Sequence, residues 1–424
     1  MIVENMEDIN ALFKDAEAEF CIKKYENQLK DVFERIEDIA LFNQNKVIKA
    51  LQSSYISLRH FYGSTGYGNS DIGRDSLNQV YADVFGAQSA VVSPLITCGT
   101  HALFLALSSV LRPGDLVLSV TGEPYDTLSE AIFGKNGKDN GSLKDFGISF
   151  IIQELTGGKI DLGKTEINIT RLKPKIVYIQ RSRGYSTYDA RSVSEIEKVV
   201  RLAKQIDKDI IVFVDNCYGE FVEKQEPTQV GADIVVGSLC KNIGGGIVPT
   251  GGYVVGRADL IKLVENRLIA PSLGFEVGSY EMGYRLFYEG LFLAPSTVKN
   301  ALFGAYLIGE VMASKGYRVF PSKNENCYDI IKSIEFNDEQ KLIKFVQLIQ
   351  KFSPVDSDAV PVPWQMPGYN DKVIMAAGTF VQGASIELSC DSPIRPPYMA
   401  YFQGGLTYEH AKLVALEILK SNEF

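Results

Sequence analysis

Histidine is scarce in this chain of 424 residues: there are three, at positions 60, 101 and 410, too few and too dispersed for a histidine-based metal site. Cysteine is little better represented. The six, at 21, 98, 217, 240, 327 and 390, form no C-x-x-C pair, which excludes zinc-ribbon and thioredoxin readings. Scattered in this way they read as reduced thiols of a cytoplasmic protein. No apolar run approaches membrane-spanning length, and the acidic first eight residues lack a signal-peptide pattern. A basic excess is missing too. The net charge of -9 argues against nucleic acid or an anionic membrane as the main partner. There is no internal repeat and no low-complexity tract.

What is present is apolar: 46% hydrophobic residues against 22% charged, enough for a large core and more than one domain. Strand-like runs at 90–94, 116–120, 148–152, 175–180, 210–215, 232–238 and 253–256 alternate with helical patterns such as 102–111, 192–205 and 258–268. Connections of crossover length between them predict an α/β fold around a mostly parallel central sheet with helices on its two faces. A smaller α+β domain should begin near Ser296, with a helix over 300–315, strands at 330–335, 373–377 and 384–388, and a closing helix over 406–419. The expected units are a helical arm at 1–60, a large domain at 61–295 and a small one at 296–424. In the arm, Ile9, Leu12, Phe13, Ala16 and Phe20, then Leu29, Val32, Phe33, Ile36, Ile39 and Ala40, fall at helical spacing. This is one helix or two, packed on its own core or on a second subunit.

The chemistry concentrates in two stretches. In Ile234-Val235-Val236-Gly237-Ser238-Leu239-Cys240-Lys241 a buried-strand pattern ends in a serine, and a lysine follows it. Gly244, Gly245, Gly246, Gly251 and Gly252 then permit a tight bend. Burial of such a lysine should lower its pKa and free the amine to attack a carbonyl, which is how a Schiff-base lysine is made. Upstream, Ile210-Ile211-Val212-Phe213-Val214 runs straight into Asp215. A carboxylate at the end of a doubly covered strand points into the crevice where open α/β sheets bind ligands. Pyridoxal 5'-phosphate (PLP) needs a carboxylate there, to keep its pyridine nitrogen protonated.

These two stretches resemble the fold-type I PLP enzymes, in particular the Cys/Met-metabolism group of cystathionine and methionine lyases. Gly63-Ser64-Thr65-Gly66-Tyr67-Gly68, Gly73-Arg74-Asp75 and Lys241-Asn242-Ile243-Gly244-Gly245-Gly246 resemble its bacterial branch of methionine gamma-lyase or aluminium-resistance proteins, which are cystathionine beta-lyase-like. The resemblance implies a homodimer, or a dimer-of-dimers tetramer, with shared active sites. Tyr67 and Arg74 would then reach the cofactor phosphate of the partner, although the family's tyrosine-x-arginine spacing is absent. It also implies that Tyr125 stacks on the pyridine ring; the bland account is a surface loop tyrosine.

Gly99 and Thr100 open the apolar helix at 102–111, where free N–H groups suit a phosphate; Thr100 also fits a plain cap. Ser238 joins them as a cofactor ligand. Related lyases hold the ring hydroxyl with an asparagine near 181–183, where this chain has Arg181 and Arg183, candidates for substrate or cofactor. The family's Arg-Leu-Ser appears as Glu387-Leu388-Ser389. Arg395, between prolines, is the expected replacement for the carboxylate-binding arginine, against the alternative of a surface loop arginine.

The implied function is a carbon–sulfur lyase that releases a thiol, a 2-oxo acid and ammonia by β- or γ-elimination, with Lys241 and Tyr125 as catalytic residues. An aminotransferase or desulfurase would use the same lysine and aspartate. A desulfurase also wants a mobile cysteine, whereas Cys98, Cys217 and Cys240 read as buried small apolar residues. A cofactor-binding homeostasis protein with little turnover is the third reading.

Overall fold

β-Branched and aromatic runs build the centre of the molecule, because each is covered on its two faces. The computed structural model describes residues 16–135, 139–366, 369 and 371–424. Its larger sheet comprises β1 (Ser89–Ser93), β2 (Leu116–Ser119), β3 (Ser149–Ile152), β4 (Ile176–Gln180), β5 (Ile211–Asp215), β6 (Ile234–Ser238) and β7 (Gly252–Gly256). The order is β1-β7-β6-β5-β4-β2-β3. β3, β2, β4, β5 and β6 run parallel, and β7 is antiparallel to both of its neighbours. β1 sits at the edge. The strand period of two is visible in the packing. Val212 and Val214 enter one core and Ile211 and Phe213 the other, on the opposite face of the sheet.

Helices α1 (Ala16–Gln28) and α2 (Lys30–Ser53) are two elements broken at Leu29. α2 lies on its own subunit's core, with Phe33 stacked on Phe303 at 4.1 Å between ring centroids. Ile9, Leu12 and Phe13 fall outside the described residues, and Phe20, expected on the packed face, is exposed. α3 (Ile72–Phe85) has Asp71 as its N-cap, whose side chain accepts the Arg74 N–H. α4 (Gly99–Val110), α5 (Asp126–Phe133), α6 (Leu162–Leu172), α7 (Val193–Ile206) and α8 (Ala258–Leu268) follow. α7 starts at a capping box in which Ser192 and Glu195 satisfy each other's free backbone N–H groups.

α9 (Arg285–Ser314) has 30 residues, with Pro295 inside it. The boundary expected at Ser296 therefore falls within one continuous helix, which begins well before the expected start at Asn300. By length and composition α9 could cross a membrane, but most of its apolar stretch is buried within this fold. Its Gly290 is required by a close approach. A Cβ there would lie 2.4 Å from the carbonyl oxygen of Gly244, so α9 is pressed against the turn that follows Lys241.

The smaller sheet is wholly antiparallel, in the order β10-β11-β12-β9-β8. Its strands are β8 (Arg318–Phe320), β9 (Ile331–Glu335), β10 (Val373–Ala376), β11 (Ser389–Pro393) and β12 (Met399–Gln403). α10 (Glu339–Lys351) and α11 (Tyr408–Lys420) cover one face together with α9. The other face turns Ile331, Met399 and Tyr401 toward Tyr185 and Tyr218 of the large domain. The strand expected at 384–388 is displaced to β11. Glu387 instead accepts the N–H groups of Phe380 and Val381, each at 2.9 Å, and so holds a turn.

Candidate active site

Three parallel strands end in polar residues at the same edge of the sheet: β4 in Gln180, β5 in Asp215 and β6 in Ser238. A cavity of about 390 Å³ opens there between the two domains, within the size range of small-molecule sites. Tyr125, Gln180, Asp215, Cys217, Tyr218 and Lys241 line its large-domain side. Tyr369, Asp391, Arg395, Tyr401 and Gln403 line the side toward the small domain.

Lys241 follows β6 in a bend closed by the glycines after it, and its side chain is partly open to the cavity. Its Nζ lies 4.1 Å from the centroid of the Tyr218 ring. Tyr218 itself adopts φ 70°, a left-handed conformation that is an outlier for a bulky side chain. Such strain costs about 1–3 kcal/mol and clusters at functional sites; here it accompanies a ring set beneath the amine. Burial acts to lower the Lys241 pKa, but the Cys217 thiol, the Tyr218 and Tyr125 phenols and Asp215 outweigh it, so the net shift is upward. The expectation that burial alone sets this amine is thus corrected: the net direction is upward.

Asp215 is buried, and its Oδ1 accepts the Cys217 N–H at 3.1 Å. Burial pushes its carboxyl up, and Lys241 offsets only part of that shift. Burial likewise pushes the Cys217 thiol well up, which leaves it inert as a nucleophile. Tyr125 presents its ring to the cavity. Its hydroxyl pairs with Thr100 Oγ1 at 2.7 Å, and its N–H donates to Gln180 Oε1 at 2.9 Å. Burial, then Asp215, pushes its phenol up.

The first turn of α4 leaves four backbone N–H groups without helical partners. Cys98, the N-cap, takes that of His101, accepting through Sγ at 3.4 Å, and its carbonyl accepts the first helical bond, from Ala102 N at 3.0 Å. Those of Gly99 and Thr100 have no partner among the described residues. A Cβ on Gly99 would meet Ser238 Cβ at 3.4 Å and Cys217 Sγ at 3.7 Å, so helix start, strand end and Asp215 loop converge on one point.

A profile of the family described as methionine gamma-lyase matches residues 18–423. The chain belongs to the methionine gamma-lyase family. An uncharacterized protein of Bacillus subtilis, YnbB, is 48% identical over 388 residues, 91% of this chain and 92% of that one. The crystal structure of a carbon–sulfur lyase involved in aluminium resistance from Clostridium novyi superposes with a TM-score of 0.92 at 46% identity, over 99% of each chain. A pyridoxal-5'-phosphate-dependent protein of Escherichia coli, YhfS, superposes with a TM-score of 0.61 over 91% of this chain and 96% of that one. At 16% identity it speaks for the fold.

The cofactor implied for this family is PLP, and the residues fit it. Two free N–H groups at a helix start, with the Ser238 hydroxyl beside them, suit a dianionic phosphate. A buried carboxylate suits a protonated pyridine nitrogen, a tyrosine ring suits the pyridine face, and Lys241 supplies the amine.

Arg181 and Arg183 are corrected as free substrate contacts, and Arg74 is already paired within its own chain. Arg74 is buried on α3 and does not line the cavity of that chain. Its guanidinium is committed to Asp75 and to the carbonyls of Gly68, Phe275 and Gly278, at 2.7–3.3 Å. Arg181 is likewise fully buried, donating to Glu223 and Asn216 at 2.8 Å each, with Glu226 at 3.5 Å. Arg183 reaches the cavity wall, but its guanidinium is spent on Asp329 at 3.2 Å and on the Phe320 carbonyl. A buried guanidinium must be paired, and these pairs serve the protein itself.

Of the expected substrate arginines, Arg395 alone brings an exposed guanidinium to the cavity, paired with Asp371 at 2.9 Å. Tyr67 is 78% exposed and lies outside the cavity of its own chain. Gln180 was missed as a site residue, although it carries the signal that revealed Asp215, a polar residue ending an apolar strand. Asp391 and Gln403 were missed because the sequence reading set one strand too early and left the other out.

Proposed function

We propose that this protein is a PLP-dependent carbon–sulfur lyase of sulfur amino acids, releasing thiol, 2-oxo acid and ammonia by β- or γ-elimination. The observation that carries the reading is the meeting of Lys241, Asp215 and the Tyr125 ring in one cavity beside the free N–H groups of Gly99 and Thr100. Bound PLP supplies an electron sink that acidifies the substrate Cα–H. Lys241 then moves the proton at Cα. Asp215 keeps a proton on the ring nitrogen. Tyr125 covers the ring and helps exclude water.

The test offers cysteine, cystathionine, methionine and homocysteine to the holoenzyme and measures thiol and 2-oxo acid. Steady release without any added 2-oxo acid is expected from at least one of them. Strict dependence on a 2-oxo acid would instead mark an aminotransferase, alanine formation a desulfurase, and no release a binding protein.

The active sites are proposed to be shared in a homodimer or a dimer of dimers. In support, Leu41, Phe42, Tyr55, Leu58, Tyr62 and Tyr67 expose apolar surface along α2 and the segment after it. A neighbouring groove is lined by Leu51, Ile56, Phe61, Tyr288 and Phe292. Patches of this kind mark association surfaces, and two-fold dimers are the commonest assembly. Tyr67 is assigned to the partner's site. Mixing Lys241→Ala with Tyr67→Phe protein, each impaired alone, should restore part of the activity once subunits exchange. Exchange without any recovery would refute the shared site.

A further inference from the structure

The small domain meets the cavity with an acid where an amino-acid enzyme would be expected to present a cation. Along β11 the side chains alternate. Cys390 enters the core beneath α10 and α11, while Asp391 is the one residue of its strand left partly open, and it opens into the cavity. On β12, which pairs with β11 so that Asp391 lies opposite Tyr401, Tyr401 and Gln403 point to the same side. Gln403 Nε2 donates to Asp391 Oδ2 at 3.2 Å and fixes the carboxylate. Around it stand the rings of Tyr185, Tyr369 and Tyr401, with ring centroids 6.0 Å apart for Tyr185–Tyr369 and 5.1 Å for Tyr185–Tyr401.

No cation of the protein is paired with Asp391 among the described residues. The two arginines of the cavity wall have carboxylates of their own, Arg183 with Asp329 and Arg395 with Asp371. Lys241 belongs to the reacting centre. Glu123 and Asp126 add further negative charge to the lining. Burial, only partly offset by Gln403 and Lys241, raises the Asp391 pKa to about 7, as expected for a carboxyl that lacks its counter-ion. Aromatic walls around an anchored carboxylate suit an ammonium, which the ring faces also attract.

We propose that Asp391, oriented by Gln403, is a specificity-determining residue that binds a cationic group at the far end of the substrate, away from the amino-acid head engaged at Lys241. The proposal rests on the lyase reading only for that head group. It predicts that the enzyme favours thioether amino acids with a distal ammonium over equally long ones with a distal methyl.

The substrate probes are S-(2-aminoethyl)-L-cysteine and S-propyl-L-cysteine. L-Lysine and L-2-aminoheptanoate, their carbon counterparts, have no carbon–sulfur bond to cleave and report binding alone. Wild-type holoenzyme should bind L-lysine roughly tenfold to a hundredfold more tightly than L-2-aminoheptanoate, the range for a hydrogen bond to a charged partner. It should prefer the aminoethyl thioether in kcat/KM in the same direction. Asp391→Asn keeps the shape and a partner for Gln403, and it should erase both preferences.

A wild type that favours the methyl-ended ligands, or does not discriminate, overturns the proposal without any variant. So does an Asp391→Asn protein that keeps the preference, or one that binds both ligands equally more tightly, since Asp391 would then merely repel the substrate carboxylate. Gln403→Leu, which unties the carboxylate, should weaken the preference as well. If neither thioether, nor any of the four amino acids offered above, is cleaved while lysine binding still depends on Asp391, the lyase reading falls and this one stands. Cleavage without preference gives the reverse.

Discussion

Lys241→Ala should abolish the covalent hold on PLP and lower thiol release roughly 10²–10⁴-fold, the range for removing a positioned proton-transfer group. At about 1.4 kcal/mol per tenfold, this is a loss of about 3–5 kcal/mol of transition-state stabilisation. The fold should survive. The lysine amine touches the Tyr218 ring and faces the cavity, so no packed core group is lost and far-ultraviolet circular dichroism should be unchanged. Borohydride treatment followed by peptide mapping is the direct check. Wild-type protein should carry the cofactor on the peptide containing Lys241, and the variant should carry none. Cofactor still fixed to the variant chain would sink the assignment.

The second large effect is expected at Asp215. Its replacement by Asn keeps an acceptor for the Cys217 N–H but removes the charge facing the ring nitrogen. Loss of one preorganised electrostatic partner costs roughly 10²–10³-fold in rate. PLP should still bind, because Gly99, Thr100 and Ser238 are untouched and hold the other end. The sensitive readout is exchange of the substrate Cα proton with deuterated solvent, which reports the electron sink apart from later steps. Unchanged exchange would make the carboxylate merely structural. The variant should also show a lower Lys241 pKa, since an acidic neighbour that raises it is gone. Poor exchange combined with an easier amine would assign the defect to the ring and not to the lysine.

Much of the large domain was legible in the sequence because a doubly buried parallel strand has one signature, an apolar run, and its end has another, the first polar residue. That logic found Asp215, Ser238 and, through the turn behind it, Lys241. It could have found Gln180. Helix starts are equally local, so Gly99 and Thr100 were within reach. The arginines were not. Arg181 and Arg183 leave the same loop, and nothing in their spacing reveals that Glu223, Glu226 and Asp329, distant in sequence, claim them. Arg74 is hidden in the same way by carbonyls some 200 residues away.

The small domain was read less well. Ala384-Ser385-Ile386-Glu387-Leu388 alternates as a strand should, yet Glu387 holds a turn, and the strand begins at Ser389 with few apolar residues. Tertiary pairing with β12 overrides that weak local preference. The acid that faces the cavity, Asp391, was lost with the register.

The edge position of β1 bears on how the chain is made. Among the described residues β1 is the first strand to leave the ribosome, and its one partner in the sheet, β7, comes last of the seven, with Ser89 paired to Gly256. Until residue 256 has emerged, β1 is an open edge of Ala90, Val91 and Val92 looking for a partner. The later strands can zip together from β2 onward in the meantime. Closing the sheet is thus a late, long-range event that also sets the Lys241 bend between β6 and β7. A nascent chain stalled before residue 250 should therefore engage chaperones through β1, the strand farthest in synthesis time from its own neighbour.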